Sequence, residues 1–330
     1  MKRIGVLFPL GAAAIGLLVS ALVAPASAAW EPKGQAECIA PANPGGGFDA
    51  ICRSTSAVLQ KTGLVKSNIY VTNMPGGSGV VAIANVLTKR KADTNLLVAA
   101  SPALTFAMAL KRTPHTYDDV IPLAQIGAEI GGFFVKADSK YKSLADLIKA
   151  LKADPRSVTF AGGSAPGGLD HIKAALLAKA IGVDPTKLIY TPFQGGGEAL
   201  TSMLGGHTEV AALDVSEAAG QLEAKAIRCL GLLSDKRSAK FKDIPTTHEQ
   251  GVKASFIIWR GLYMPPGVPA EAVKFWSDAI QKMVATPDWD KEREKMGWEP
   301  TFKFGAEFTK FTKDEYASLQ VLLKELGFLK

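Results

Sequence analysis

Glu37–Arg53 reads ECIAPANPGGGFDAICR. Its first residues predict a short apolar strand, Cys38 to Ala42, running into a turn marked by Pro41, Asn43 and Pro44. Three glycines follow, Gly45 to Gly47, and a helix is predicted to open around Asp49. A strand, a glycine turn and a helix start in that order expose backbone N–H groups at a positively polarised helix end. Such a site can hold an anion without any basic side chain. Read alone, the segment suits a nucleotide, a phosphate or a catalytic oxyanion equally well.

The same order recurs along the chain. Strands are predicted at Ile69–Thr72, Leu96–Ala100, Val120–Gln125, Phe133–Val135, Val158–Ala161, Leu188–Tyr190, Val210–Leu213, Ile227–Leu233 and Ile257–Tyr263. Helical patterns cover Ser143–Lys152, Leu169–Ile181, Ala270–Val284 and Phe308–Leu326. The first opens on Ser143-Leu144-Ala145-Asp146, a capping-box signature. Short apolar strands alternating with helices indicate an α/β protein with largely parallel sheets. Glycine clusters at Gly45–Gly47, Gly76–Gly79, Gly162–Ser164 and Gly195–Gly197 each follow a strand. Ordinary turn chemistry explains any one of them. Four together point to ligand-facing edges, because open α/β sheets bind ligands beyond the carboxyl ends of their strands.

The basic start MKR, the apolar run Ile4 to Ala24 and the small-x-small pattern Ala26-Ser27-Ala28 read as a secretory signal cleaved near Ala28, rather than a membrane anchor. Removing residues 1–28 leaves 302 of the 330 residues, enough for two domains, and lowers the formal charge from +7 to +5. That charge is scattered, and with no basic stripe or recognisable module a nucleic-acid partner is not expected. Export to an oxidising compartment favours a disulfide between Cys38 and Cys52 over two buried thiols, although spacing alone does not establish bridge geometry. Cys229 lies in an apolar run and reads as a buried strand residue.

Several chemistries lack their signatures. There is no G-x-x-x-x-G-K-[ST], no G-x-G-x-x-G after a strand and no G-x-S-x-G. His115, His171, His207 and His248 show no metal-ligand spacing, so neither a metal nor any other cofactor is expected. Without an assembled acid–base set, binding is favoured over catalysis. A secreted hydrolase or transferase acting on an anionic substrate is the rival reading, and would need Ser164 and His171 as nucleophile and base.

Five motifs in order, ECIAPANPGGGFDAICR, NMPGGSG (Asn73 to Gly79), GGSAPGGLDH (Gly162 to His171), TPFQGGGEAL (Thr191 to Leu200) and WRGLYMPPGVP (Trp259 to Pro269), resemble the extracytoplasmic receptors of the tripartite tricarboxylate transporters, also called Bug receptors. The cysteine-bearing first motif and the WRG motif resemble the tricarboxylate-receptor branch, which often has tryptophan where Phe48 stands. The resemblance implies a type II periplasmic-binding-protein fold, two α/β domains joined by two crossover strands and closing on a cleft. Domain one would comprise residues 29–126 and, with the crossover, 226–330; domain two would be 127–225. It also implies a monomeric periplasmic receptor for a citrate-like di- or tricarboxylate, working with a two-component membrane permease. A receptor for an aromatic carboxylate, with Phe48 or Phe193 against the ring, and a receptor serving a sensory partner are alternatives.

Carried onto this chain, the resemblance places domain-one contacts at Pro44 to Asp49. Gly45 and Gly46 would admit a carboxylate to the backbone, Phe48 would wall the cleft, and Asp49 would cap the helix or orient the loop. Ser101 would offer a hydroxyl. In domain two, Ser164, Ala165 and the following helix start would take a second carboxylate, and Phe193, Gly195 and Gly196 would supply a further turn. Asp214 would meet a polar or hydroxyl group, directly or through water. Arg260 is either a carboxylate clamp or hinge packing, and Arg53 either a clamp or an ion pair within its helix.

Overall fold

The computed structural model describes Met1, residues 30–238 and residues 240–329. The export signal read at residues 1–28 lies outside them, Met1 apart. Ten α-helices, three short 3-10 turns and ten strands occur among the described residues. The chain begins β1 (Ala36–Ala40), α1 (Gly47–Lys61), β2 (Ile69–Asn73), α2 (Val80–Lys89), β3 (Leu96–Ala100) and α3 (Ala103–Ala109). After the long strand β4 (Ile121–Lys136) come α4 (Leu144–Ala153), β5 (Thr159–Gly162), α5 (Leu169–Ala180), β6 (Ile189–Pro192), α6 (Gly196–Leu204), β7 (Val210–Asp214), α7 (Val215–Glu223) and β8 (Ile227–Leu232). The chain returns through β9 (Ile257–Met264), α8 (Ala270–Val284), α9 (Pro287–Met296), β10 (Lys303–Phe304) and α10 (Gly305–Glu325).

Two sheets share β4. In the first, the order is β2-β1-β3-β9-β4, with β1 parallel to β2 and β3 and with β9 antiparallel to its neighbours. In the second, the order is β4-β7-β5-β6, with β8 also antiparallel to β4. β4 pairs β9 through Ile130, then β7 and β8 from Gly131 onward. β4 and β9 are therefore the strands that pass between two α/β lobes, the architecture of a type II periplasmic binding protein.

The sequence splits β4 into two strands around Gly131 and Gly132, whereas the structure runs straight through them. These glycines make room rather than turns. A Cβ on Gly131 would lie 2.7 Å from the Lys173 side chain, and one on Gly132 would lie 3.1 Å from Cys229 Sγ in β8.

Strands β1 and β3 are wholly buried, as expected for parallel strands covered on both faces. Alternate residues feed opposite cores. Cys38, Ala40, Leu97 and Ala99 pack with Ile51 of α1 and Trp276 and Met283 of α8; Ile39, Leu96 and Val98 pack with Val86 of α2 and Phe308 of α10. The second lobe repeats the scheme, with Phe133, Phe160 and Val210 under Leu147 and Leu151 of α4, and Phe134, Ala161 and Leu213 under Met203 of α6. Leu230, Leu233, Val252 and Ala254 also belong to this second lobe's core, so much of the 226–256 stretch packs there.

Local signals set the element ends. Ser143 caps α4 with the reciprocal Asp146 bond of a capping box, and Gly297 closes α9 in the left-handed region. Cys38 and Cys52 form a disulfide that ties α1 to the strand beneath it. A loop this short contributes about 3 kcal/mol in the chain-entropy account. Cys229 carries a free thiol in β8, and burial pushes its ionisation up to about 12.

Candidate functional site

A cavity of about 250 Å³ opens between the lobes. Helices α1, α5, α6 and α7 all begin on its walls, so four positive helix ends converge on one small space. The first lobe contributes Gly46, Gly47 and Phe48 at the start of α1 and Gly77 and Ser78 before α2. The second contributes Ser164 and Ala165, Phe193 to Gly196, and Asp214 and Glu217. All four glycine clusters named from the sequence therefore reach one cavity.

The lobes are hydrogen-bonded across it. Gly47 N–H donates to Glu217 Oε1 at 2.9 Å, Ala165 N–H donates to Ser78 Oγ at 2.9 Å, and Asn43 N–H donates to the Gln194 carbonyl at 3.4 Å. The Asn43 side-chain amide also donates to Glu198, and Arg112 to the Pro166 carbonyl. The glycine loops are thus partly filled by the protein itself. Gly45 N–H donates to Asp49 Oδ2 at 3.1 Å, Gly46 N–H to the Asn43 carbonyl at 3.2 Å, and Gly163 N–H to Asp170 Oδ2 at 2.7 Å.

Under the cavity lies a buried charged cluster. Arg260, only 2 % exposed, pairs with Glu129 and Asp214, and fully buried Lys173 pairs with Asp170 at 2.5 Å and with Asp214. Burial would raise the Asp214 carboxyl, but Lys173 and Arg260 outweigh it and hold the group below its usual range. Desolvation wins at Glu129 and Asp170, which shift upward. At Glu217, burial reinforced by the Asp214 and Asp170 charges pushes the carboxyl up to about 8. Burial would lower Lys173 and Arg260, but their carboxylate neighbours keep both firmly charged.

Of the residues expected at a ligand, Gly46, Phe48, Ser164, Ala165, Phe193, Gly195, Gly196, Asp214 and Arg260 line the cavity. Four do not. Pro44 lies on an outer groove beside Glu198 and His207. Gly45 has φ +83° and turns its N–H inward to Asp49, whose carboxylate also accepts from Asn73 at 2.9 Å and pairs with Arg53 at 2.8 Å. Asp49 is thereby a loop brace, and Arg53 its partner rather than a clamp. Ser101 is buried, and its hydroxyl accepts the Ala103 N–H at 3.2 Å at the start of α3. Arg260 is a carboxylate clamp, but the carboxylates it holds belong to the protein.

The nucleophile–base pair of the rival reading is not assembled. Ser164 Oγ accepts the Asp170 N–H at 2.9 Å, while His171 Nδ1 accepts the Gly167 N–H at 2.9 Å and the ring stacks on Tyr190 at 4.3 Å. Burial, with Arg112 nearby, lowers His171 to about 4, so it stays neutral at physiological pH.

Ser78, Lys173 and Glu217 were missed in the sequence. Glu217 left a local signal: Asp214-Val-Ser-Glu217 follows an apolar strand as a capping box, and Glu217 Oε2 indeed accepts the Asp214 N–H at 3.2 Å. Ser78 acts through a contact far along the chain, and Lys173 pairs with Asp170 one turn before it as well as with distant Asp214.

Comparison with known proteins agrees with this architecture. The chain is 26% identical to BugT of Bordetella pertussis over 326 residues, covering 96% of this chain and 97% of that protein. It is 25% identical to a Cupriavidus necator protein of the UPF0065 group over 264 residues, 79% of each. Among solved structures, the periplasmic binding protein BugD superposes with a TM-score of 0.83 at 21% identity, covering 91% of this chain and 99% of BugD. A malate-bound protein of Rhodopseudomonas palustris, MatC, gives 0.78 at 18%, covering 88% and 99%. An adipate-bound R. palustris protein gives 0.80 at 22%, covering 90% and 98%. Residues 54–328 match the family model described as tripartite tricarboxylate transporter family receptor. The chain belongs to that family of receptors.

Proposed function

We propose that this protein is a periplasmic solute receptor that binds a small di- or tricarboxylate, citrate-like in size, by closure of its two lobes. It then presents the closed form to a two-component membrane permease. The observation that carries this reading is the convergence of four helix starts from both lobes on one cavity of about 250 Å³. An anion bridging the α1 and α5 starts stabilises the closed arrangement over the open one, and only such differential affinity drives closure. The like-folded proteins bound to malate and adipate support the ligand class. Residues up to about 126 and the return segment containing β9 would form one jaw, and the stretch from Gly127 to Lys225 most of the other.

Phe48 and Phe193 both line the cavity, which favours aromatic carboxylates as a second ligand class. Calorimetric titration with citrate, malate, adipate and benzoate decides between them. Binding of the aliphatic acids with the ligand returned unaltered is the expected result. Turnover of any of them would replace the receptor reading with an enzymatic one.

A further inference from the structure

Glu217 is the one carboxyl of the charged cluster that touches the N-terminal turn of α1. Its carboxyl lies between two glycine loops: Oε1 accepts the Gly47 N–H at 2.9 Å, and a Cβ on Gly196 would collide with it. The side chain is partly exposed, and it lines the cavity. Glu217 therefore stands where a ligand carboxylate at the α1 start would arrive.

Charge decides what it can do there. Around it stand Glu129 of β4, Asp170 and Lys173 of α5, Asp214 of β7 and Arg260 of β9. Asp49 of α1 is already neutralised by Arg53, and Glu198 of α6 is held by Asn43. With every acid ionised, four carboxylates would face two cations before any ligand entered. An anionic ligand would then meet like charge at contact distance. A carboxyl oxygen has two lone-pair directions, so a neutral Glu217 can accept both the Gly47 and Asp214 N–H bonds and still direct a proton into the cavity.

We propose that Glu217 is a specificity-determining residue of the site: as the neutral acid it donates a hydrogen bond to a carboxylate of the bound ligand, so that binding fixes a proton on the protein. The proton comes from solvent, and none moves between ligand and receptor. The upward shift of this carboxyl to about 8 agrees with the role. The inference rests on the carboxylate-receptor reading above.

The test uses the full mature chain and malate, whose carboxyls are ionised across the range studied. Affinity and proton uptake are measured by calorimetry from pH 6.5 to 9.5 in two buffers of different ionisation enthalpy. The wild type is expected to lose about tenfold in affinity per pH unit above roughly 8, with uptake approaching one proton per malate at pH 9. Glu217→Gln keeps an acceptor and a permanent donor, so its affinity should show a flat pH profile with no proton uptake. Malate binding with a flat wild-type profile and no proton uptake would overturn the role of Glu217 while leaving the receptor reading intact. So would an unchanged slope in Glu217→Gln. Failure of malate, citrate and adipate to bind the folded wild type at any pH would overturn both.

Discussion

Beneath the cavity, four carboxyls, of which Glu129, Asp170 and Asp214 are buried and Glu217 partly exposed, share two cations, the group being drawn from β4, α5, β7, α7 and β9; on α10, Glu315 stands alone among neutral partners. Glu315 Oε1 accepts the Trp259 indole N–H and Oε2 the Thr105 hydroxyl, each at 2.7 Å, and burial raises the carboxyl to about 7 despite those bonds. The first cluster draws its members from both lobes. The second is confined to the first lobe, where it fastens α10 to α3 and β9. A charged cluster of this kind costs desolvation and returns it only while every partner stays in place, whereas a lone acid meets its burial by keeping its proton. The contrast separates what depends on lobe arrangement from what merely holds the fold.

The largest effect should come from breaking the shared cluster. Arg260→Met strands Glu129 without its cation and leaves Asp214 only Lys173, and urea denaturation at pH 7.5 should show a loss of about 3–5 kcal/mol. A loss below about 1 kcal/mol would mean that the cluster reorganises freely and does not bind the lobes together. The lone acid should respond to pH instead. Its folded pKa lies above the unfolded value, so its contribution is complete below about 4.5 and disappears as pH rises through about 7. That contribution is on the order of 3 kcal/mol. Glu315→Gln should flatten the dependence of stability on pH between 5 and 8; an unaltered slope would assign the titration elsewhere.

A smaller effect separates neighbouring glycines. A Cβ on Gly196 meets the Glu217 carboxyl and would push it off the Gly47 N–H, while one on Gly197 finds only an ordinary 3.5 Å contact with the Pro44 carbonyl. Gly196→Ala should weaken carboxylate binding about tenfold, near 1.4 kcal/mol, and Gly197→Ala should leave it within twofold. Equal losses would show that the cross-lobe bond of Glu217 is not what the glycine protects.

This also marks how far the sequence could be read. The glycine loops were legible because each is a local strand–turn–helix event, and they lead to one cavity. The disulfide and the α4 capping box were legible for the same reason. Helices α2, α3, α6, α7 and α9, of seven to ten residues, were not anticipated, because two or three turns give a pattern too short to separate from a loop, whereas the equally short α4 announced itself by its capping box. The electrostatic partners were less legible. Arg260, read as either a carboxylate clamp or hinge packing, and Asp214, read as a ligand contact, both line the cavity; Arg260 is held by Glu129 and Asp214, and Asp214 also by Lys173, residues 41 to 131 positions away. Nothing local announces such a pairing. Within two of the glycine clusters, Gly47 and Gly196 also leave space for the side chains of Arg260 and Glu217, as Gly131 of β4 does for Lys173.

Calorimetry of the ligand-free protein with citrate, malate and adipate, run beside Gly46→Val, tests the central claim that the cavity holds a small carboxylate between the lobes. The account predicts one-to-one binding of at least one of these acids to the wild type, and a hundredfold or greater loss in the variant with its thermal unfolding cooperative as before. Equal affinity in both proteins, or no binding by a folded wild type, would contradict it.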